Sequence, residues 1–399
     1  MTAVISTRTR GIRGATYGFT LAIVSLVAMM AGASAPSPFY PVLAQRIGFD
    51  AVVTTIVFAV YAVALLATLV TAGSLSDHIG RRPVASAGLL LLAVSVVVFW
   101  NADATGLLVL ARLLQGVASG LLLSSVSAAI ADLEPASRPG SAAVWNAVAP
   151  MAGLAIGALV AGAVLDATKD ALVDVFAPLA VLYVVLAALV WFAPETAPRK
   201  PGALASLGFR LKVPASMRTL FLQSTPAIFA GWATGGFFLS LGASIVHIEL
   251  GGVAHVWQGL SVALLAGAGA IAAFLIRRRS ARAITIYGTV ALSGGTLLTL
   301  LALALGSLPG YLAAVVVAGS GFGTAFFGVV RSLAPHIPAT ERADVFAVIF
   351  LVSYLAFGIP AVIAGVLVQL VGLGPVAYGY GIVVAVLAAA AAGPRIPRG

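Results

Sequence analysis

Gly73-Ser74-Leu75-Ser76-Asp77-His78-Ile79-Gly80-Arg81-Arg82-Pro83-Val84 is a polar run at the junction of two long apolar segments. Gly73 and Gly80 let the chain turn and let helices approach with no Cβ in the way. Asp77 lies near the end of the preceding apolar segment. Its carboxylate can accept hydrogen bonds from Arg81 or Arg82, or face the positive N-terminal end of a helix from elsewhere in the chain. The plain alternative is a solvated loop whose ion pairs contribute little.

Outward from this run the chain is apolar in both directions. Of 399 residues 61% are hydrophobic and 9% charged, and the mean hydropathy is +1.11. A soluble domain carries roughly 25% charged residues, so no large water-facing surface is expected. A membrane-crossing helix needs about 20 mostly apolar residues. Twelve segments meet that length: 16–35, 51–72, 83–101, 105–130, 140–165, 174–193, 218–246, 256–276, 283–305, 309–333, 343–370 and 374–393. The longest gap, 194–217, holds Pro194, Pro198, Pro201 and Pro214 and splits them six and six. The expected fold is an all-α membrane protein: a six-helix bundle over 1–193, a cytoplasmic central loop over 194–217 and a second six-helix bundle over 218–399. The first segment follows Arg8, Arg10 and Arg13 and ends near Ala33-Ser34-Ala35, which imitates a signal peptide. Its length and the eleven segments behind it favour a first span.

With the N-terminus inside and the segments alternating, the inner side receives 19 of the 22 basic residues; Arg46 and Lys169 fall outside, and Arg112 lies within a segment. That is the positive-inside pattern. It accounts for the net charge of +10 through side chains facing the cytoplasm and anionic lipid, so the bilayer is an expected partner and nucleic acid is not. The expectation is a multi-pass protein of the cell membrane with both termini cytoplasmic. Cysteine is absent, which removes disulfides and thiolate metal sites. His78, His247, His255 and His336 are scattered, and neither H-E-x-x-H nor G-x-x-x-x-G-K-[ST] occurs. No metal, cofactor, ATP motor or catalytic constellation is expected, and a membrane enzyme or non-transporting sensor is the least favoured class.

The halves echo each other. Gly116 and Gly120 match Gly319 and Gly323, and Pro135-Ala136-Ser137 matches Pro338-Ala339-Thr340, all at one offset of 203 residues. Pro150 has Pro360 at a nearby offset, and Gly73 with Arg81-Arg82 finds a worn counterpart in Gly269 with Arg277-Arg278.

The Gly73–Arg82 run resembles the pattern G-x-L-x-D-x-x-G-R-R/K, the loop between helices two and three of the major facilitator superfamily. Arg112-Leu113-Leu114-Gln115-Gly116-Val117-Ala118-Ser119-Gly120 is similar to that family's segment-four pattern R-x-x-Q-G-x-x-x-G. Segment five resembles the drug:proton antiporter pattern G-x-x-x-G-P-x-x-G-G only in part: Pro150 and Gly153 fit as helix-kink residues, while Trp145, Ala149 and Leu154 stand where glycines would. The resemblance implies two pseudo-symmetric six-helix bundles with substrate bound between them near the midplane, and one chain holding both halves implies a monomer. It also implies a conformational latch of Gly73, Asp77, Gly80, Arg81 and Arg82, joined by Asp132, Glu134 and Arg138 at the inner end of segment four.

Arg112 lies about 10 Å deep at 1.5 Å per residue. A charge there is costly and usually faces a cavity or a partner, with Gln115 on the same helix face and carbonyls near Pro36 and Pro38 as candidate partners. Arg112 and Gln115 serve as a proton or substrate relay in one reading; in the other Arg112 is an anchor that snorkels outward. No carboxylate sits at a helix centre, so proton coupling falls to Asp77, Arg112, Glu249 or His247, or is absent. The family's cavity is lined mainly by segments one, four, seven and ten, which makes Trp145, Asn146, Gln223, Trp232, Phe238, Thr324, Phe327 and Tyr354 the cavity candidates. Each is equally consistent with helix packing. Together they describe an apolar, aromatic site for a lipophilic or amphipathic small molecule. The leading expectation is export of such compounds by proton antiport with alternating access, and the alternative is a proton-coupled or passive importer of a small metabolite.

Overall fold

The computed structural model describes residues 2–203, 207–208, 214–337 and 342–392, with side chains from residue 14 onward except 216, 342 and 343. Among the described residues all regular structure is helical, and twelve helices are long and apolar enough to cross a membrane. The repeat partner Pro338-Ala339-Thr340 and basic residues such as Arg210, Lys212, Arg395 and Arg398 lie outside the described residues.

The first crossing is interrupted. Helix α1 (Thr2–Ser34) ends before Pro36, a single 3-10 turn spans Ser37–Phe39, and α2 (Tyr40–Ile47) completes it. The crossing therefore runs to Ile47, past the limit of 35 expected from hydropathy. Prolines 36, 38 and 41 break the helical hydrogen bonding, but the polypeptide keeps its direction. The first half continues with α3 (Ala51–Ala72), the short α4 (Leu75–Ile79), α5 (Arg81–Trp100), α6 (Thr105–Asp132), α7 (Ser141–Ala167) and α8 (Ala171–Leu189). The second half holds α9 (Arg218–Ser244), α10 (His255–Ile276), α11 (Ala281–Ala304), α12 (Leu308–Leu333), α13 (Arg342–Val371) and α14 (Leu373–Ala392). Local caps fix several starts: the Asp50 carboxylate accepts from Val53 N–H at 2.9 Å, and the Ser280 and Ser307 hydroxyls accept from Ala283 and Gly310.

Each half has its own apolar core, one running from Phe19 to Val190 and the other from Ala230 to Ala388. Large apolar side chains such as Val181, Ile271 and Val386 point outward. That is the arrangement expected where hydrocarbon, not water, surrounds the protein.

The internal repeat is visible in the packing. A Cβ on Gly116 would come within 2.5 Å of the Tyr61 carbonyl oxygen of α3, and one on Gly319 within 2.3 Å of the Leu265 carbonyl oxygen of α10. Small residues at these sites let backbones touch. The fourth span thus crosses the second as the tenth crosses the eighth. Pro150 and Pro360 both lie inside helices, α7 and α13. The pairing of Gly73 with Gly269 does not hold. Gly73 follows the end of α3, whereas Gly269 lies inside α10 against Gly323. Among the described residues the second half has no counterpart of α4, so the glycine-to-arginine spacing coincides without structural equivalence.

Candidate functional site

Between the halves lies a cavity of about 1270 Å³. It is open on the face that carries Arg138, Arg277, Arg278 and Arg331, all of which line it. Its inner wall is aromatic: Trp232 sits 4.8 Å from Tyr354, 5.5 Å from Phe326 and 5.8 Å from Phe357, centroid to centroid. Trp145, Asn146, Trp232, Phe327 and Tyr354 line this space as expected from the sequence. The other three candidates do not. Gln223 is on the exposed side of α9. Phe238 is buried in the core of the second half and stacks on Tyr311 at 6.4 Å. Thr324 is fully buried, its hydroxyl donating to the Ser320 carbonyl at 2.6 Å. Apolar composition gave no signal for which face of a helix turns inward, and α3, absent from the expected lining, contributes Phe58, Tyr61 and Leu69.

Two features concentrate polarity at Asn146. Its Oδ1 is buried without a hydrogen-bond partner, while Nδ2 donates to the Ser127 carbonyl at 3.3 Å. Pro150, four residues on, lacks the N–H that would bond the Asn146 carbonyl. Gly153 packs against α1, where an added Cβ would come within 2.4 Å of the Val27 carbonyl oxygen. Of the two expected kink residues, Gly153 thus serves close helix packing, and Pro150 is the one that interrupts the hydrogen-bond ladder.

The face opposite the arginines is closed by direct contacts between halves. The Asp166 carboxylate at the end of α7 accepts from His255 N–H at 2.9 Å, Val256 N–H at 2.8 Å and His255 Nδ1 at 2.8 Å. It thereby caps the N-terminus of α10, a contact worth about 0.3–1 kcal/mol at a solvent-facing helix end. Just inside it, Gly162 and Gly259 let α7 and α10 cross; a Cβ on Gly259 would lie 2.3 Å from the Ala158 carbonyl oxygen. The Gln369 amide of α13 donates to the Asp50 carboxylate before α3, and the Ser37 hydroxyl donates to the Leu239 carbonyl at 2.9 Å. Neither Asp166 nor His255 was singled out from sequence, because they are 89 residues apart and meet only through the crossing of α7 and α10.

On the arginine face the Asp77 loop is drawn together within the first half. Gly80 has φ +106°, a left-handed conformation that only glycine adopts without strain. Asp77 forms an ion pair with Arg81 and is otherwise half exposed, at 51%. Arg81 Nε also reaches Asp132 at 3.4 Å, and Asp132 accepts from the Thr196 hydroxyl at 2.7 Å. The organiser is Glu195, absent from the sequence-based set. Its carboxylate accepts from the N–H groups of Arg81 at 2.8 Å, Arg82 at 3.1 Å, Thr196 at 3.0 Å and Ala197 at 3.1 Å, tying the segment after α8 to the start of α5. Arg82 donates to the Trp191 carbonyl at 3.2 Å. Glu134 and Arg138 do not join this cluster. Glu134 accepts from Ala142 N–H at 3.3 Å at the start of α7, and Arg138 stands at the cavity mouth. The turn after Leu133 points them toward α7 and away from Asp77.

Arg112 is 1% exposed, deep inside the first half. Its Nε donates to the Tyr40 hydroxyl at 2.9 Å, Nη1 to the Ala33 carbonyl at 3.3 Å and to Gln115 Oε1, and Nη2 again to Tyr40. Gln115 Nε2 donates to the Gly32 carbonyl at 2.9 Å. The partners lie one turn before the carbonyls expected near Pro36 and Pro38. Pro36 has no N–H, which frees the Gly32 carbonyl four residues back, and the end of α1 at Ser34 leaves that of Ala33 without a helical partner. Among the described residues no carboxylate pairs with Arg112, so the charge is solvated by oxygens and ring faces, including Tyr61 at 5.5 Å. The outward-snorkelling anchor is not what this geometry shows. Tyr61 belongs both to this group and to the cavity wall.

Residues 21–361 match the family model described as Major Facilitator Superfamily. A 150-residue stretch is 33% identical to "Uncharacterized MFS-type transporter Rv1250" of Mycobacterium tuberculosis, covering 37% of this chain and 25% of that protein. An 80-residue stretch is 34% identical to "Multidrug resistance protein MdtL" of Shewanella oneidensis, covering 20% of each. The chain thus spans a quarter and a fifth of the length of these relatives. The human organic anion transporter MFSD10 superposes with a TM-score of 0.69 at 16% identity, over 94% of this chain and 99% of that one, a likeness of fold. With a family model across most of its length and twelve helices arranged in two halves about a cavity, the chain belongs to the Major Facilitator Superfamily of membrane transporters.

Proposed function

We propose that the protein exports lipophilic or amphipathic small molecules from the cell by proton antiport with alternating access. The observation that carries this reading is the aromatic cavity between the halves, open on the arginine-rich face and closed on the other. By the positive-inside rule the open face is the cytoplasmic one, with both termini on that side of the cell membrane. The cavity is then poised to load from the cytoplasm and the inner leaflet. The relative MdtL is a multidrug resistance protein by name, which is consistent with this substrate class.

In this reading 1–193 and 218–399 rock against each other about the loop 194–217 in a single, monomeric chain. Asp77 and Arg81, with Gly73, Gly80, Arg82, Asp132 and Glu195 behind them, form the latch that meets the second half when the cytoplasmic face closes. Glu134 and Arg138 act at the adjoining mouth. Arg112 and Gln115 relay occupancy or protonation from the cavity through Tyr61 to the break in the first crossing at Tyr40. Trp145, Asn146, Trp232, Phe327 and Tyr354 contact the substrate.

The test is accumulation of a neutral membrane-permeant dye, N-phenyl-1-naphthylamine, in cells lacking their own pumps. Lower accumulation in cells making this protein, abolished by a protonophore, is the expected result. Equal accumulation removes export of neutral lipophiles, and higher accumulation reverses the direction.

A further inference from the structure

The charges around the cavity are one-sided. Among the described residues no aspartate or glutamate lines it, whereas four arginines, Arg138, Arg277, Arg278 and Arg331, stand at its open end. Of the twelve acidic residues only Glu341 lies outside the described residues. Positive-inside bias explains why arginines gather on this face, but it does not dictate where carboxylates go. On this same face Asp77 and Asp132 are both spent on Arg81, Glu195 on the start of α5 outside the cavity, and Asp344, in the first turn of α13, does not line the cavity either. Glu134, close in sequence to Arg138, turns to the start of α7. The cavity arginines are left without a carboxylate partner among the described residues.

Two of them are gathered. Arg331, at the end of α12, reaches across to donate to the backbone carbonyl of Arg277 at the end of α10. Arg277 in turn donates to the Phe274 carbonyl and lays its guanidinium 3.9 Å from the Phe274 ring centroid. Both side chains are held by backbone oxygens and a ring face, interactions that leave their positive charge uncancelled.

We propose that the substrate of this cavity is an amphipathic organic anion: an aromatic or aliphatic body carrying a carboxylate or sulfonate. The inference rests on the reading of the cavity as the substrate site. The apolar body sits among Trp232, Phe326, Tyr354 and Phe357, whose rings offer large contact areas. The anionic head remains at the arginine end, where a guanidinium fork matches two oxygens of a carboxylate or sulfonate. A lipophilic cation of the same size gains the same aromatic contacts and cation–π attraction to the ring faces, which the arginine end must outweigh. Among the described residues the cation finds no carboxylate in the cavity to replace its lost hydration, and it passes a positive rim to enter.

The experiment uses the purified full-length protein in lipid nanodiscs and a matched probe set: naphthalene-2-sulfonate, 2-naphthalenemethanol and a naphthyl-trimethylammonium salt. Binding is read by quenching of tryptophan fluorescence, since Trp145 and Trp232 line the cavity. The sulfonate is expected to bind about tenfold more tightly than the ammonium salt at low ionic strength, with an advantage that shrinks as salt is raised. The double variant Arg277→Gln/Arg331→Gln is expected to weaken the sulfonate severalfold more than the alcohol. Ammonium binding as tight as sulfonate binding overturns the anion assignment and leaves export of amphipaths standing. Uniform loss of all three in the double variant, with no salt dependence in the unaltered protein, overturns it as well. Failure of all three probes to bind the unaltered protein overturns both the assignment and the reading of the cavity.

Discussion

Arg112 is a full positive charge held in the first half by neutral groups: one hydroxyl, one amide, one carbonyl and the faces of aromatic rings. Arg112→Ala strands the Tyr40 hydroxyl and the Gln115 amide at a buried site, where each unmade hydrogen bond costs about 1–3 kcal/mol. Arg112→Lys keeps the charge but not the fork that bridges Tyr40 to Gln115. Transport by the alanine variant is expected to fall further than transport by the lysine variant, with both still inserted in the membrane. The check is initial efflux rate normalised to protein in the membrane; equal, near-normal rates in both would reduce Arg112 to a packing element. Arg112 was readable from sequence because a charge within an apolar segment stands out. Its partners were not, because the free carbonyls of Gly32 and Ala33 come from where α1 ends, a detail set by Pro36.

At the scale of elements, two devices act at opposite ends of the cavity. On the arginine face α4 and the start of α5 are pinned by Glu195, and Asp77 is left with one partner from its own turn and half its surface free. Asp77→Asn therefore has little to disturb in the state described here. An exposed ion pair of this kind contributes about 0.2–1 kcal/mol, so folding stability is expected to be nearly unchanged while efflux slows, if the carboxylate works in the alternate state. Thermal unfolding and efflux measured on the same preparation separate the two; unchanged efflux would remove the latch. On the opposite face closure depends on Gly259 crossing Ala158 and Gly162. Gly259→Val forces the backbones of α7 and α10 apart and is expected to open that face. The chain has no cysteine, so Ser37→Cys, buried at a contact with Leu239 between halves, is a reporter without background. Its labelling by an impermeant maleimide should rise severalfold in the Gly259→Val variant, and unchanged labelling would mean that this crossing does not set the closure.

For the whole molecule the central expectation is relative motion of the two halves. Asp166 and His255 come from different halves and bond at 2.8 Å in this state. Cysteines at both positions joined by a short thiol cross-linker should arrest transport, and cleavage of the linker should restore it. Full cross-linking with undiminished transport would exclude separation of α7 from α10 as a step in the cycle. Of the structure as a whole, the count of spans and, apart from the first crossing, their limits to within a few residues were legible. Each rests on local hydrophobicity, which a chain in lipid cannot hide. The glycine pairs at the constant offset were legible too, since close helix crossings demand small residues.

What the sequence by itself determined is the environment of each segment: which stretches enter hydrocarbon, which face carries the basic residues, and that Asp77 and Arg112 are charges out of keeping with their surroundings. Only the tertiary structure decided which side chains meet. It turned Gln223, Phe238 and Thr324 away from the cavity, separated Glu134 and Arg138 from Asp77, brought Glu195 to the start of α5, and joined Asp166 to His255 across the closed face. The physical reason is that nearly every helix here is apolar all round. Helix rotation in such a chain is set by shape and small-residue contacts between spans, and that information is stored in pairs of residues far apart in sequence.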